Sequence, residues 1–310
     1  MNIISCFVFA AAIGSLIAGK KIGNKAILFG GLCGLIPAAD WLVSLLFNVP
    51  ISENIRGGVT HSFVFCLLFA PVLGWALHKY VDRTCSFLRW ANLALWCMVS
   101  HCLYDSLTID GVAFLEPFSH HRFALSVLSN VDIIGLIPLA VAFVGALILK
   151  DWHHKVMISW FGGFLFVLYV SFTFLNKLSV HSQFEQSLDE KDIRYSRVDV
   201  YPVSGSLFLW NCIAQDRDGF WMGYRSNLSK NDFDINLVLR NDYYLFELED
   251  NQKIKQIEAY TRYYYGVEPK SSHSVLLHDL RYGKDGLKSD APFARTYEID
   301  FSSELVIERK

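Results

Sequence analysis

Six apolar runs follow one another before residue 177, at 3–19, 26–49, 62–78, 88–107, 132–149 and 156–176. A helix that crosses a bilayer needs about 20 mostly apolar residues, with a lower limit near 17. Packed as the core of a soluble domain, such runs on short loops would leave no polar face for water. The pattern therefore predicts a membrane-spanning bundle of about six helices. Runs one and three stand near the lower limit and fit tilted, short or partly re-entrant helices. The 310-residue chain is 53% hydrophobic and 19% charged, against about a quarter charged in a soluble domain. Nearly all of that imbalance lies before residue 177.

The first run does not read as a signal peptide, because it lacks a basic leading segment and its lysines, Lys20, Lys21 and Lys25, follow it. A formal net charge of −2 points away from a nucleic-acid partner. The cysteines, at 6, 33, 66, 85, 97, 102 and 212, show no C-x-x-C spacing. They read as neither a disulfide framework nor a zinc knuckle, and most fit as small packing residues.

Lys and Arg in short loops set orientation. Loop one carries Lys20, Lys21 and Lys25, loop three Lys79 and Arg83 with Arg89 at its edge, and loop five Lys150 and Lys155; loops two and four offer only Arg56 and Arg122. The positive loops alternate, which places loops one, three and five in the cytoplasm. Both termini then lie outside, in the periplasm of a bacterial inner membrane.

After Lys177 the pattern changes. "RYSRVDVYPV", "LFLWNCIAQD", "GFWMGYRSN" and "DINLVLRND" are β-prone runs broken by Pro, Gly, Asp and Asn. "YYLFELEDNQKIKQIEAYTRYYYG" has helical spacing with Gly266 as its stop, and "SVLLHDLRYG" and "RTYEIDFSSELVIE" read as closing strands. The expected fold is mainly α: a polytopic membrane helical bundle over 1–177, then a small soluble α+β domain over 178–310.

With that topology the polar residues gather at one face: Asp40 in "GLIPAADWLV", Arg56, His61, His101 and Asp105 in "MVSHCLYDSLTIDG", then Asp110, Arg122 and Asp132. An ionisable group inside a membrane helix costs about 2.5–3.5 kcal/mol on insertion scales and marks a pathway or a site. His101 and Asp105, four apart, share a helix face. The mixed nitrogen and oxygen donors of His61, His101, Asp105 and Asp40 suit zinc or a similar divalent ion. Arg56 or Arg122 would then neutralise an anionic substrate as the catalytic cation. Plainer readings stand beside these. An i,i+4 His–Asp pair also serves as a structural hydrogen bond, and Thr60-His61-Ser62 as a helix N-cap. Asp132 reads as a helix-start residue, and His120–His121 and His153–His154 as solvated loop residues.

Taken in order, "THS" (Thr60, His61, Ser62), "HCLYDSLTIDG" (His101, Asp105, Thr108, Gly111) and "EPFSHHR" (Pro117, Phe118, Ser119, Arg122) resemble the motifs of the LexA-regulated, YdjM-like family of inner-membrane-associated proteins classed as metal-dependent hydrolases. "VDIIGLIPL" resembles the Asp-led helix that follows them there. "SLFLWNCIAQDRDGFWMGYRS" and "HDLRYG" are similar to the family's soluble extension. The resemblance implies a metal-dependent hydrolase, likened to zinc-dependent phospholipases C and related nucleases. This chain departs from the pattern at three places. Cys6 stands where the family has an early His, "PAAD" replaces P-D-x-D and keeps only Asp40, and "RGG" puts Arg56 in a His position. A thiolate at Cys6 still ligates a soft metal, whereas Ala38 offers no donor and Arg56 repels a cation.

Three functions remain open on these residues. One is a membrane-embedded hydrolase of a (phospho)ester or lipid at the outer face, with the lipid bilayer as its medium. Another is a catalytically degenerate, membrane-anchored binding protein. The last is a transporter using the His and Asp as an ion relay, which the clustering of charge near one face and the lack of an inverted repeat disfavour.

Overall fold

The computed structural model describes residues 3–39, 57–130, 132–206, 208–226, 233–248, 251–271, 273–286, 291–301 and 305–309. The chain divides into two compact units, Met1–Phe172 and Thr173–Lys310.

Helix α1 (Ile3–Ile22) ends in Lys20 and Lys21, basic residues that complement the negative end of the helix dipole. Gly23, at φ 58°, turns the chain at once into α2 (Asn24–Gly34). The two helices cross with almost no side chain between them. A Cβ on Gly14 would stand 2.4 Å from the Ala26 carbonyl oxygen and 2.8 Å from the Gly30 Cα. Such small-residue seams let backbones approach where lipid removes any hydrophobic drive between helices.

The described helices continue with α3 (Phe63–Tyr80), α4 (Phe87–Ser106), α5 (Ile133–Ile148) and α6 (Trp152–Glu190). Helix α4 is the hub. It packs against α1, α2 and α3, and its Trp90, Leu93, Ala94, Cys97, Met98 and Cys102 are fully buried. At the α3–α4 crossing, a Cβ on Gly74 would meet Ala91 at 2.7 Å.

Among the described residues, three helices are long and apolar enough to cross a membrane: α1, α3 and α6. Six helices are present up to Glu190, but only these three meet the length and apolarity of a span among the described residues. Helix α5 is apolar but has 16 residues, below the span limit of about 17. Helix α4 has the length but carries Arg89, His101 and Asp105. The second run, expected at 26–49, stops as a helix at Gly34, and a 3₁₀ turn follows at Pro37–Ala39. Proline disfavours helical backbone in the residue before it and brings no amide of its own, which accounts for the break. Residues 40–56 lie outside the described set.

The second unit holds two four-stranded antiparallel meanders. The first is ordered β1 (Arg197–Pro202), β2 (Leu209–Gln215), β3 (Gly219–Ser226), β4 (Ile235–Leu239). The second is ordered β5 (Tyr265–Ser271), β6 (Ser274–Asp279), β7 (Thr296–Asp300), β8 (Leu305–Arg309). Val180, Phe184 and Leu188, from the later turns of α6, form one core with Val200, Trp210, Cys212 and Ala214 of the first sheet. The short helix α7 (Gln252–Tyr260) buries Ile254 and Ile257 against Val267, Val275, Leu277 and Ile299 of the second. The long helix expected across 243–266 is not formed. A 3₁₀ segment covers Asp242–Leu248, α7 ends at Tyr260, and Gly266 lies inside β5 rather than at a helix stop. Arg262 and Tyr263 adopt φ of 56° and 63°, left-handed backbone that no helix continues through.

Candidate metal centre

Two elements bring His61 and Asp105 together. Ser62 caps α3 by accepting the Phe65 amide at 3.1 Å, as the N-cap reading of Thr60-His61-Ser62 expects. That cap ends the 3₁₀ turn Val59–His61, and the His61 side chain is buried. The loop ahead of it is held by Gly57, at φ 69°, whose carbonyl accepts the Ala113 amide at 3.1 Å. A Cβ on Gly57 would stand 2.7 Å from Arg122 Nη2. On the other side, His101 and Asp105 lie one turn apart near the end of α4. The Thr108 hydroxyl donates to the Asp105 carbonyl at 2.7 Å and fixes that end.

The side chains converge on one carboxylate. Nε2 of His61 lies 3.4 Å and Nε2 of His101 3.3 Å from Oδ2 of Asp105, and the two rings meet edge to face at 5.1 Å between centroids. The Cys6 thiol, on α1, donates to Oδ1 of Asp105 at 3.8 Å. All four residues are buried. A carboxylate in the last turn of a helix opposes the helix dipole, and burial adds a desolvation cost. Two imidazoles and a thiol offset both.

Cys6, His101 and Asp105 each bring a donor atom to a point, all within 4.8 Å of one another. Nδ1 of His101 is buried with no hydrogen-bond partner among the described residues. A sulfur, nitrogen and oxygen set of this kind matches the donors that hold zinc and its neighbours, so the residues present fit a divalent ion.

The other residues singled out from the sequence fall as follows. Asp40 and Arg56 lie outside the described residues. Arg122 directs its guanidinium to the carbonyl oxygens of Asp110 and Gly111, each at 3.3 Å, which braces the loop after α4. Asp110 accepts from Asn130 at 2.9 Å. Asp132 is the N-cap of α5, accepting the Gly135 amide at 2.8 Å, and Tyr169 donates to its carboxylate. His120 pairs with Glu116 at 2.6 Å, and His154 with Asp151 at 2.9 Å.

Two features escaped the sequence reading. Oγ1 of Thr60 lies 3.1 Å from Nδ1 of His61, an outer partner of the kind that fixes the orientation of a ligating imidazole. Adjacency in "THS" was the available signal. Cys66 and Cys102 bring their sulfurs to 3.9 Å between α3 and α4, and no sequence spacing announces a pair 36 residues apart.

The apolar helices and the buried His/Asp/Cys cluster define a membrane protein with a candidate ligand cage. The YdjM inner membrane protein family matches residues 1–180, and the chain belongs to that family. It is thus an inner membrane protein. No curated protein and no solved structure matches it.

Proposed function

We propose that the chain is a metal-dependent hydrolase of a (phospho)ester, working where the cluster approaches the membrane surface. Cys6, His61, His101 and Asp105 would hold one divalent ion, zinc by donor chemistry, and Asp40 supplies a further carboxylate in the same part of the sequence. The observation that carries this reading is the approach of two buried imidazoles and a thiol to the single carboxylate of Asp105. When bound, such an ion supplies Lewis acidity, polarising an ester oxygen and making water more acidic. Asp105 holds both imidazoles in place, and Thr60 orients the ring of His61. Arg56 or Arg122 would meet an anionic substrate, Arg122 while its guanidinium also braces the Asp110 and Gly111 carbonyls. Water adds across the ester: its oxygen bonds to phosphorus or carbonyl carbon, the bond to the leaving oxygen breaks, and that oxygen takes the proton.

Sidedness follows from charge. Cys6 opens α1 and Asp105 closes α4, whereas Lys20 and Lys21 close α1 and Arg89 opens α4. The cluster therefore sits at the helix ends opposite the basic loops, which the positive-inside bias assigns to the non-cytoplasmic side. A multi-pass chain with a periplasmic tail fits this arrangement.

The test is hydrolysis of a chromogenic phosphodiester by detergent-purified protein loaded with zinc. Asp105→Asn should lower the rate by about 100-fold or more, since even outer-shell changes cost 10–100-fold in such sites. Turnover that is absent in the wild type, or unchanged in the variant, overturns the proposal. A second reading, a catalytically degenerate membrane-anchored binding protein, is favoured by Ala38. It is buried in the Pro37–Ala39 turn at a family ligand position and can donate nothing. Under that reading, tail deletion abolishes function and His101→Ala leaves it intact.

A further inference from the structure

In the second unit, one face of β1 carries polar side chains that the fold leaves without acceptors. Val198 and Val200 pack toward α6, so the alternate residues Arg197, Asp199 and Tyr201 share the opposite face. Tyr201 is 1% exposed, yet its phenol oxygen has no hydrogen-bond partner among the described residues. Its cross-strand neighbour Asn211 donates to the carbonyls of Leu280 and Arg281, at 2.8 and 3.3 Å. Those bonds seat the Leu280–Tyr282 turn beside Tyr201. The Tyr264 carbonyl in turn accepts the Leu280 amide at 3.1 Å, which brings in the left-handed corner at Arg262 and Tyr263.

Two guanidiniums share this want of an acceptor. Arg281 is fully buried; its Nε and Nη2 are committed to Asp279, but Nη1 has no partner among the described residues. The Arg262 side chain makes no hydrogen bond or ion pair among those residues. Burial lowers the Arg262 pKa, and repulsion from Arg281 and Arg197 adds to that effect against the pull of Tyr201 and Asp199. The same three arginines act on the Tyr201 phenol, opposing the rise in pKa that burial and Asp199 cause. Lys177 on α6 lies within electrostatic reach of Arg262 and Asp199. Both carboxylates of the group are taken: Asp199 by Arg197 at 2.6 Å and the Tyr264 hydroxyl at 2.9 Å, and Asp279 by Arg281. Buried polar atoms left unpaired call for a missing acceptor. Arg262 also holds φ 56°, a strained conformation for a side-chain-bearing residue of the kind that clusters at ligand sites.

We infer that Tyr201, Arg262 and Arg281 form a phosphate-binding site in the second unit, apart from the Asp105 cluster and independent of the hydrolase reading. Positive charge without a spare carboxylate selects an anion. Donors arriving from a strand, a turn and a corner suit the several oxygens of a tetrahedral phosphate better than the planar pair of a carboxylate, and guanidiniums match phosphate geometry. The last exposed apolar residues of α6, Leu175 and Leu178, flank Lys177, so the site stands beside the end of that apolar surface. A phosphate reaches such a place either as the diester of a lipid head group or free in the aqueous phase.

The experiment is equilibrium dialysis of full-length, detergent-purified protein at fixed ionic strength, with a chelator present so that no metal ion holds the probe. The probes are radiolabelled inorganic phosphate and radiolabelled glycerophosphoglycerol, a head-group diester without its tails. The expected result is saturable binding of one probe per chain, weakened about tenfold or more in Tyr201→Phe and in Arg262→Asn, the scale of a lost hydrogen bond to a charged group. Phe keeps the ring of Tyr201 and Asn tolerates left-handed backbone, so both variants should keep the wild-type unfolding midpoint in phosphate-free buffer. A merely structural role would move the midpoint and leave the affinity alone. Tighter binding of the diester identifies a lipid head group as the source, and tighter binding of inorganic phosphate identifies the free ion. Saturable binding of neither probe, or an affinity unchanged in either folded variant, overturns the inference.

Discussion

Nε2 of His101 faces Oδ2 of Asp105 across 3.3 Å on consecutive turns of α4. A pair so placed could be a local hydrogen bond and nothing more. Here the same oxygen is approached by His61 from another element, and the other oxygen by Cys6 from a third helix. The local pair thereby becomes a junction of α1, α4 and the turn before α3.

Asp105→Ala should destabilise the metal-free protein by about 1–3 kcal/mol, because it leaves buried imidazoles without their acceptor. Thermal unfolding in detergent checks this, and an unchanged midpoint would show that the junction carries no load.

The α1–α2 seam predicts a contrast between two glycines. Gly14→Leu must push α1 off the Ala26 carbonyl and should cost about 1–3 kcal/mol or more, as overpacking does. Gly163 in α6 has nothing within 4 Å of the added Cβ, so Gly163→Ala should be neutral or stabilising by up to about 1 kcal/mol. Unfolding of the two variants side by side reads the difference, and equal effects would contradict the seam.

Parts of this arrangement were legible in the sequence. The i,i+4 spacing put His101 and Asp105 on one face, and their polarity in an apolar run marked them. His61 stood out for the same reason. Cys6 drew notice only through the family resemblance, because a cysteine in an apolar helix looks like any small packing residue. Pro37 lies in an apolar stretch long enough to span, so hydropathy alone does not show the break after Gly34. In the tail, helical periodicity across 243–266 concealed the reversal at Arg262 and Tyr263. Left-handed backbone at two non-glycine residues is set by tertiary packing, and no local pattern announces it.

In the second unit Arg281 and Asp279 form a fully buried two-pronged pair at 2.9 and 2.7 Å, and Asn211 of β2 donates to the carbonyls of Leu280 and Arg281. Asp279→Ala should cost about 3–5 kcal/mol by stranding a buried guanidinium, whereas replacing both charges with apolar residues restores much of the loss. Protease resistance of the tail in the full-length protein is the measurement, and a double variant as weak as the single one would contradict the pairing argument.

His278 makes the tail sensitive to acid. Its ring is buried, stacked on Phe293 at 4.6 Å, with Nδ1 2.8 Å from the Thr296 hydroxyl. Burial lowers its pKa, against the opposing pull of Glu268. The unfolded chain, with an ordinary value near 6.5, therefore takes up a proton that the folded one resists. The stability tied to this group is complete above about pH 6.5 and falls as the pH drops from there toward the folded value. Protease resistance of the tail should fall over that window, less steeply in His278→Gln. A decline of equal slope in both proteins would exclude His278 as its source.

The junction at Asp105 is either a metal cage or a purely structural node. Elemental analysis of detergent-purified protein, wild type beside His101→Ala and with folding verified for both, measures this directly. The predicted result is a stoichiometric divalent ion in the wild type and none in the variant. A folded wild-type protein that holds no metal even after zinc is supplied would contradict it.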